Sequence, residues 1–182
     1  TAQFGTAGGA GESLRANTSH YFRVQSSATV GGVTSTTQFV ALGSTVTLAM
    51  VPSTVTVTGW TFVYSTGIAI NYKNPDPFAA TASSPTYEAQ ISTNGFITTN
   101  YSMTGLLGTP ATANFQPLAS NTTYYFRARA TSWNNITTGF STPVVSSVTL
   151  VAQPTAAAAT TLGSSSVTFN WGANSNSTGT YY

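Results

Sequence analysis

The chain has 182 residues, 41% hydrophobic and 12% aromatic, which is enough for packed cores, but only 4% are charged and the formal net charge is +2. The five cations are scattered, which excludes the clustered basic face that nucleic-acid binding requires. No run approaches the ~20 apolar residues of a membrane-spanning helix, and the absence of cysteine excludes metal–thiolate sites.

Short runs rich in β-branched and aromatic residues indicate β-strands along the whole chain. In chain order, the clearest runs are Val46–Leu48, Ile68–Tyr72, Tyr87–Ile91 and Val167–Trp171. Clusters of Gly, Pro, Asn and Ser separate them, and no segment has a sustained helical period with caps. We interpret the Ala-rich tract 156–159 as an extended edge strand because it follows Pro154. Short strands without helices predict an all-β, antiparallel sandwich or barrel.

Part of the sequence repeats at an interval of about one hundred residues. The run that begins at Leu14 recurs from Leu118, so that Phe22 and Phe126 are 104 positions apart. A second repeated run, Val-Thr-Leu, occurs at 46–48 and again at 148–150. The interval predicts modules of about one hundred residues. We expect the chain to open near the end of one module and to stop early in a third.

This phase predicts one complete module with a part of a module on either side. Residues 1–50 would be the C-terminal part of one module, 51–150 a complete module, and 151–182 the N-terminal part of a further module. Neither part could bury a sandwich core alone, because it would expose apolar faces and strand edges. Two explanations remain open: the natural chain continues, or one subunit completes the next by strand exchange and grows a filament.

The repeated run resembles bacterial fibronectin type III modules. Pro154 stands where such a module opens, Trp171 lies on the second strand, and Leu118 begins the pattern Leu-x-x-Asn-Thr-x-Tyr-x-Phe-Arg. The resemblance covers nearly all of the chain. It implies tandem fibronectin type III or immunoglobulin-like β-sandwiches, each with seven antiparallel strands in two sheets. The complete module departs from the family at Tyr72, where a Trp is usual.

The resemblance also implies a structural corner in each copy of the repeat. In the complete module it places a tyrosine corner at Leu118 and Tyr124, where the hydroxyl bonds to nearby backbone. In the first copy the corresponding residues are Leu14 and His20, so a histidine occupies the tyrosine position. Strand alternation then directs Tyr124 inward and the arginine at 127 outward.

The sequence offers no constellation of catalytic residues. Glu12, Asp76 and Glu88 lie in different segments, whereas a glycosidase needs two carboxylates roughly 5–10 Å apart. His20 is the only histidine, and no serine lies in a Gly-x-Ser-x-Gly turn. We therefore predict no enzymatic activity, no cofactor and no metal, and we expect Glu88 to lie opposite a cation on a neighbouring strand.

Two tryptophans are the candidates for contact with a partner or a glycan. Trp133 lies in the predicted loop between the last two strands of the complete module, and Trp60 precedes its second strand. The alternative for Trp133 is that it caps its own sandwich or packs against a neighbouring module. Five Asn-x-Ser/Thr sequences are candidates for N-glycosylation: Asn17, Asn100, Asn121, Asn135 and Asn176.

The function that the sequence favours is structural. We expect a protein of an extracellular or cell-surface fibre, built from repeated modules and self-assembling through strand complementation between subunits. Its partners would be itself, as a homopolymer, or neighbouring modules of the same chain, with no nucleic acid and no membrane span. The alternative is an adhesin or a carbohydrate-binding appendage of a larger secreted protein, which would add surface glycans as partners.

Overall fold

The structure, a computed structural model, describes residues 14–56, 63–73, 75, 85–107, 111–176 and 178–181. Within these ranges the regular secondary structure is all β-strand, and the strand pairs are antiparallel. The all-β, antiparallel class predicted from the sequence is confirmed. In the same ranges, no helix is long and apolar enough to cross a membrane.

The first segment contains two pairs of strands. β1 (Ser19–Val24), β2 (Ser27–Val30), β3 (Val33–Thr36) and β4 (Val40–Val46) follow one another in the chain. β1 pairs with β4, and β2 pairs with β3 in a hairpin between them. The hairpin turn contains Gly31 and Gly32 at φ values of 57° and 81°, and turns with two positive φ values match the twist of the flanking strands.

The central part of the chain forms a sandwich of two sheets. Its strands are β5 (Thr54–Thr56), β6 (Ile68–Lys73), β7 (Thr86–Ser92), β8 (Tyr101–Leu106), β9 (Ala111–Phe115), β10 (Thr123–Thr131) and β11 (Val145–Val148). One sheet has the order β5-β6-β9 and the other the order β11-β10-β7-β8. Seven antiparallel strands in two sheets are the fibronectin type III-like sandwich predicted for the complete module, so this fold is confirmed for the central part of the chain.

The core of this sandwich follows from strand alternation. On β10, Tyr124, Phe126 and Ala128 are buried while the residues between them are partly exposed, as predicted from the sequence. Tyr72 stands where the resemblance noted in the sequence implies a Trp, and its ring centre lies 4.9 Å from that of Tyr87. Burial, together with the neighbouring Tyr87, raises the pKa of the Tyr72 phenol well above its usual value. The ring therefore remains neutral in the core.

The last segment forms two short ladders. Its strands are β12 (Thr155–Ala156), β13 (Thr160–Gly163), β14 (Ser166–Thr168) and β15 (Trp171–Gly172), with β12 paired to β15 and β13 to β14. The predicted strand Val167–Trp171 is interrupted at Phe169 and Asn170, and the Asn170 side chain donates to the Ala158 carbonyl over 2.7 Å. The predicted edge strand at 156–159 is regular only at Ala156. The module limits 1–50, 51–150 and 151–182 stay a prediction.

Candidate functional site: module corners and junctions

The corner of the central sandwich is closed by side chain to backbone hydrogen bonds. The Tyr124 hydroxyl accepts from the Ala119 N–H over 3.0 Å. The Thr149 hydroxyl donates to the Ala119 carbonyl over 2.7 Å and accepts from the Thr122 N–H over 3.0 Å. Thr149 is 2% exposed, and Leu118 is buried beside this network. The chain reversal before β10 is therefore fixed through both backbone groups of one residue, the N–H and the carbonyl of Ala119.

Each corner contains an asparagine with a left-handed backbone. Asn17 has a φ of 48° and Asn121 a φ of 47°, a conformation that asparagine adopts more readily than most residues. The Asn17 N–H donates to the Leu48 carbonyl over 3.0 Å, and the Asn121 N–H donates to the Leu150 carbonyl over 3.1 Å. These bonds tie the first corner to the chain just after β4 and the second corner to the chain just after β11.

The first corner uses a histidine where the second uses a tyrosine. His20 Nε2 lies 3.1 Å from the Arg15 carbonyl, and it acts as the donor because a carbonyl oxygen only accepts. The Thr47 hydroxyl also donates to the Arg15 carbonyl, and it accepts from the Thr18 N–H over 3.2 Å. Leu14 is half-buried. The first corner therefore has the same threonine bonds as the second, with a different group closing it.

The first segment meets the central sandwich at a buried contact, here called the first junction. The Asn17 side-chain oxygen accepts from the Trp133 N–H over 3.0 Å. The Ala49 N–H donates to the Ser132 hydroxyl over 2.7 Å. Asn17, Ala49 and Ser132 are 1%, 6% and 2% exposed. The Ala49–Ser132 bond is therefore shielded from water and the Trp133–Asn17 bond partly so, and hydrogen bonds are electrostatically stronger away from water.

The loop between β10 and β11 is shaped to make this contact. The Asn135 N–H donates to the Ser132 carbonyl and the Ser132 N–H to the Ile136 carbonyl, each over 2.9 Å. Asn135 has a φ of 63°, which allows the tight reversal. The turn presents the Ser132 hydroxyl and the Trp133 N–H to the first corner. The Trp133 side chain itself remains 49% exposed.

The last segment meets the central sandwich through different groups, here called the second junction. The Asn121 side-chain nitrogen donates to the Thr180 hydroxyl over 3.0 Å. The last segment is also tied to the linking residue Ala152, whose N–H donates to the Asn176 side-chain oxygen over 2.6 Å. Asn121 is half-buried, whereas Asn17 is fully buried. The second junction is therefore the more exposed of the two.

An arginine–aromatic cluster covers the outer face of the four-stranded sheet. The Arg127 guanidinium lies between the rings of Phe96 and Phe140, at 4.0 and 3.9 Å from their centres. Its Nε and Nη2 atoms both donate to the Gln90 side-chain oxygen, over 2.9 and 2.7 Å. In the first segment, Arg23 lies 4.1 Å above the Phe39 ring. The repeat therefore carries an arginine–phenylalanine pair in both copies.

Glu88 completes the outer face of the central sandwich. It lies opposite Arg129 in the β7–β10 ladder and forms an ion pair with it at 2.6 Å, which confirms the predicted cross-strand pair. Burial tends to raise the pKa of Glu88, but hydrogen bonds from Ser102, Gln90 and Arg129, with the charge of Arg129, outweigh it. The pKa therefore lies below its usual value. Its carboxylate is held in a structural network, without the raised pKa of a general acid.

The structure gives the glycosylation candidates different surroundings. Asn17 is buried in the first junction, whereas Asn121 and Asn176 use their side chains in the bonds described above. Asn100 and Asn135 are exposed, and the Asn100 side-chain oxygen accepts from the Thr93 N–H over 2.8 Å. Exposure favours these two as carriers of a glycan, and glycosylation stays a prediction.

Three candidates from the sequence lie in parts of the chain that the structure does not describe. Trp60, Glu12 and Asp76 lie outside the described residues. In the part of the chain that the structure describes, no group of three or more His, Cys, Asp or Glu side chains could hold a metal ion.

Sequence reasoning missed the junction residues and the aromatic cluster. The donors in the first junction are the backbone N–H groups of Ala49 and Trp133. Almost every residue type has a backbone N–H, so the sequence does not reveal which ones make this contact. The cluster did leave a signal, because Arg23 with Phe39 recurs as Arg127 with Phe140. The repeat could therefore have predicted one arginine–aromatic pair in each copy.

No family model matches the chain, and no curated protein matches it. Among solved structures, one similar domain is a fibronectin type III domain of human fibronectin type III domain containing protein 3. It is 17% identical, with a TM-score of 0.40, over 56% of this chain and 86% of that one. The sixth such domain of the same human protein is 20% identical, with a TM-score of 0.36, over 59% and 90%. A structure described as a myokine is 13% identical, with a TM-score of 0.43, over 56% and 98%.

Proposed function

We propose that this chain is a non-enzymatic structural part of an extracellular or cell-surface fibre built from fibronectin type III-like modules. The observation that carries the proposal is the first junction, with one buried and one partly buried hydrogen bond between the first segment and the central sandwich. A fibre needs neighbouring modules at a fixed orientation. Hydrogen bonds supply this because they depend on direction as well as distance, whereas apolar contacts alone permit rotation.

The low charge of the surface supports the same proposal. Only 4% of the residues are charged, so modules can approach one another with little electrostatic repulsion. Glu88, the only acid in the described ranges, is already paired with Arg129. The polar part of the exterior therefore consists mostly of hydroxyl and amide groups, which bind water and can also bond to similar surfaces.

Exposed apolar side chains in the outer segments support assembly through strand complementation. Val24 and Val40 face each other across β1 and β4 and are 50% and 61% exposed. Val24 lies 104 positions before Ala128, which faces the core of the central sandwich. Phe169 in the last segment is 73% exposed. In the proposed fibre, the last segment of one copy covers the β1–β4 face of the next, a head-to-tail contact that remains open.

Electron microscopy of the purified chain and of the native material tests this proposal. We expect regular filaments, and we expect that removal of residues 151–182 abolishes them while the central sandwich stays folded by circular dichroism. Filaments that persist after the cut would place the subunit contact elsewhere. A monodisperse monomer in light scattering at high concentration would overturn self-assembly. Flexible beads on a string in the native material would indicate an array of spacer modules in a longer chain.

A second function is favoured by a cleft at the edge of the β6–β9 pair. The cleft has a volume of about 530 Å³, and its lining includes Tyr64, Asn114 and Gln116 with no charged side chain. Tyr64 is 58% exposed. An aromatic ring beside neutral amides and hydroxyls suits a neutral sugar, so the alternative is an adhesin or a carbohydrate-binding appendage. The half-exposed Trp133 offers a second aromatic surface for a glycan.

Calorimetric titration with a panel of neutral oligosaccharides separates this alternative from the fibre. If it holds, one glycan class binds the full chain, and either Tyr64→Ala or Trp133→Ala removes that binding while the other leaves it unchanged. Absence of binding across the panel would contradict it.

A further inference from the structure

The β2–β3 hairpin is an arm that projects from the first segment. Both of its strands are exposed along their whole length, and Val30 and Val33 at its tip are 79% and 72% exposed. In the described ranges, the hydrogen bonds of residues 27–36 stay within the hairpin. A two-stranded hairpin of this size is only marginally stable by itself in water. Contact with a partner would supply the missing burial.

The base of the hairpin corresponds to the base of the loop that forms the first junction. The Thr37 N–H donates to the Ser26 carbonyl over 2.9 Å, and the Thr37 hydroxyl accepts from the Ser26 N–H over 3.0 Å. Thr138 makes the same two bonds with Ala130, over 2.8 and 3.0 Å. The hairpin therefore leaves its strand pair at the point where residues 131–137 leave theirs, and those residues contact a module corner.

The corner of the central sandwich lacks the contact that the first corner receives from such a loop. Ala49, at the end of the first corner, donates its N–H to Ser132 and is 6% exposed. Val151 lies 102 positions later, as Leu150 does from Leu48. It is 53% exposed, and no described residue accepts from its N–H. Leu150 beside it is 39% exposed.

We propose that the hairpin of one copy docks on the corner of the central sandwich of a second copy, at Val151. The contact would repeat the Ala49–Ser132 part of the first junction, with the hairpin in the place of residues 131–137, while Asn121, the counterpart of Asn17, keeps its bond to Thr180. The surfaces match in chemistry, since both are uncharged and Val30 and Val33 offer apolar contact to Leu150 and Val151. The proposal rests on the proposed function, because strand complementation brings the first segment of one copy beside the last segment of another.

Cross-linking between singly labelled copies tests this contact. The chain has no cysteine, so Thr29→Cys and Val151→Cys each place one thiol. The two variants are mixed at high concentration with a short bismaleimide, and the linked peptides are identified by mass spectrometry. The control pairs Thr29→Cys with Leu107→Cys, because Leu107 is exposed and lies at the opposite end of the four-stranded sheet. We expect a several-fold higher yield of the 29–151 link.

Light scattering of the same mixtures separates the outcomes. Assembly with equal yields for the two pairs would overturn the docking contact and leave the fibre standing. The 29–151 link without larger assemblies would support the contact and overturn filament growth. Neither link nor assembly would overturn both. A variant with residues 27–36 replaced by an Asn-Gly turn should still fold, because the Ser26–Thr37 base is kept, and should lose assembly if the arm is required.

Discussion

The two corners share a backbone and differ in the group that closes them. Asn17 and Asn121 have φ values of 48° and 47°, and their N–H groups donate over 3.0 and 3.1 Å to the carbonyls of Leu48 and Leu150, which lie just after β4 and β11. At the second corner Tyr124 accepts from a peptide N–H, whereas at the first His20 donates to a peptide carbonyl. The difference teaches that asparagine and threonine define the corner. The ring position tolerates either a donor or an acceptor because the residue facing it, Arg15 or Ala119, has both a backbone N–H and a carbonyl.

The corners also differ in how far water can replace their bonds. Thr149 is 2% exposed and Tyr124 4%, whereas Thr47 and His20 are only partly buried. A lost bond costs most where the abandoned partner cannot reach water. The same substitution should therefore have a larger effect at the second corner. Matched pairs of variants can test that difference.

The largest difference is expected for the threonines. Thr149→Val keeps the shape of the side chain and leaves the Ala119 carbonyl and the Thr122 N–H without their partner. We expect the free energy of unfolding to fall by about 2–3 kcal/mol, because two partly buried backbone groups lose the same hydroxyl. Thr47→Val should cost less than about 1 kcal/mol, since water reaches that corner. Hydrogen exchange of amides in β10 and β1 measures the two effects separately, and equal losses would contradict the comparison.

The closing residues should show a smaller difference. Tyr124→Phe removes the hydroxyl that accepts from the Ala119 N–H, and we expect a loss of about 1–3 kcal/mol. His20→Phe removes a donor to the Arg15 carbonyl, which still receives the Thr47 hydroxyl, so we expect roughly 0.5 kcal/mol or less. Urea unfolding of both variants checks the order. An unchanged midpoint for Tyr124→Phe would count against the corner as a stabilising element.

These pairs show which features were predictable from the sequence. The sheet, its inward and outward faces, and the place of Tyr124 follow from alternation and repetition, because those patterns are carried by side chains. The bond between Asn17 and the Trp133 N–H does not, because one partner is a backbone group and the two lie 116 positions apart. Phe96 and Phe140 meet Arg127 only after three strands have paired. Long-range contacts of that kind depend on the assembled fold.

The junctions extend the comparison to the two asparagine side chains. Asn17→Gly keeps the left-handed backbone and removes the acceptor for the Trp133 N–H, so we expect a cost of about 1–2 kcal/mol. Asn121→Gly should cost less than about 1 kcal/mol, because its bond to Thr180 is only half-buried. Exchange of the Trp133 amide should accelerate in the first variant and stay unchanged in the second. Acceleration in both would show that the junctions are coupled.

The smallest effect is the pH dependence of stability, which should differ between the outer faces of the two copies of the sequence repeat. The pKa of Glu88 is lower in the folded chain than in the unfolded one, so its contribution to stability is present above the unfolded-state pKa of about 4.3 and is lost as the pH falls through the folded-state value. We expect a loss of about 1 kcal/mol, because the ion pair is partly exposed. Glu88→Gln should remove this pH dependence.

The first copy of the sequence repeat, within residues 14–50, supplies the internal control for this pH effect. Arg23 stacks on Phe39, and the described residues of the first segment, 14–50, include no Asp or Glu. Acidification across the same range should therefore leave the exchange of the β1 and β4 amides unchanged, apart from the intrinsic pH dependence of exchange. Denaturant unfolding at pH 5 and pH 3, for the parent and for Glu88→Gln, measures the difference in the central sandwich. An equal loss in both proteins would assign the acid sensitivity to other groups. A loss confined to the parent would show that a single carboxylate, bonded to Arg129 and Gln90, gives the outer face of one copy a property that the other copy lacks.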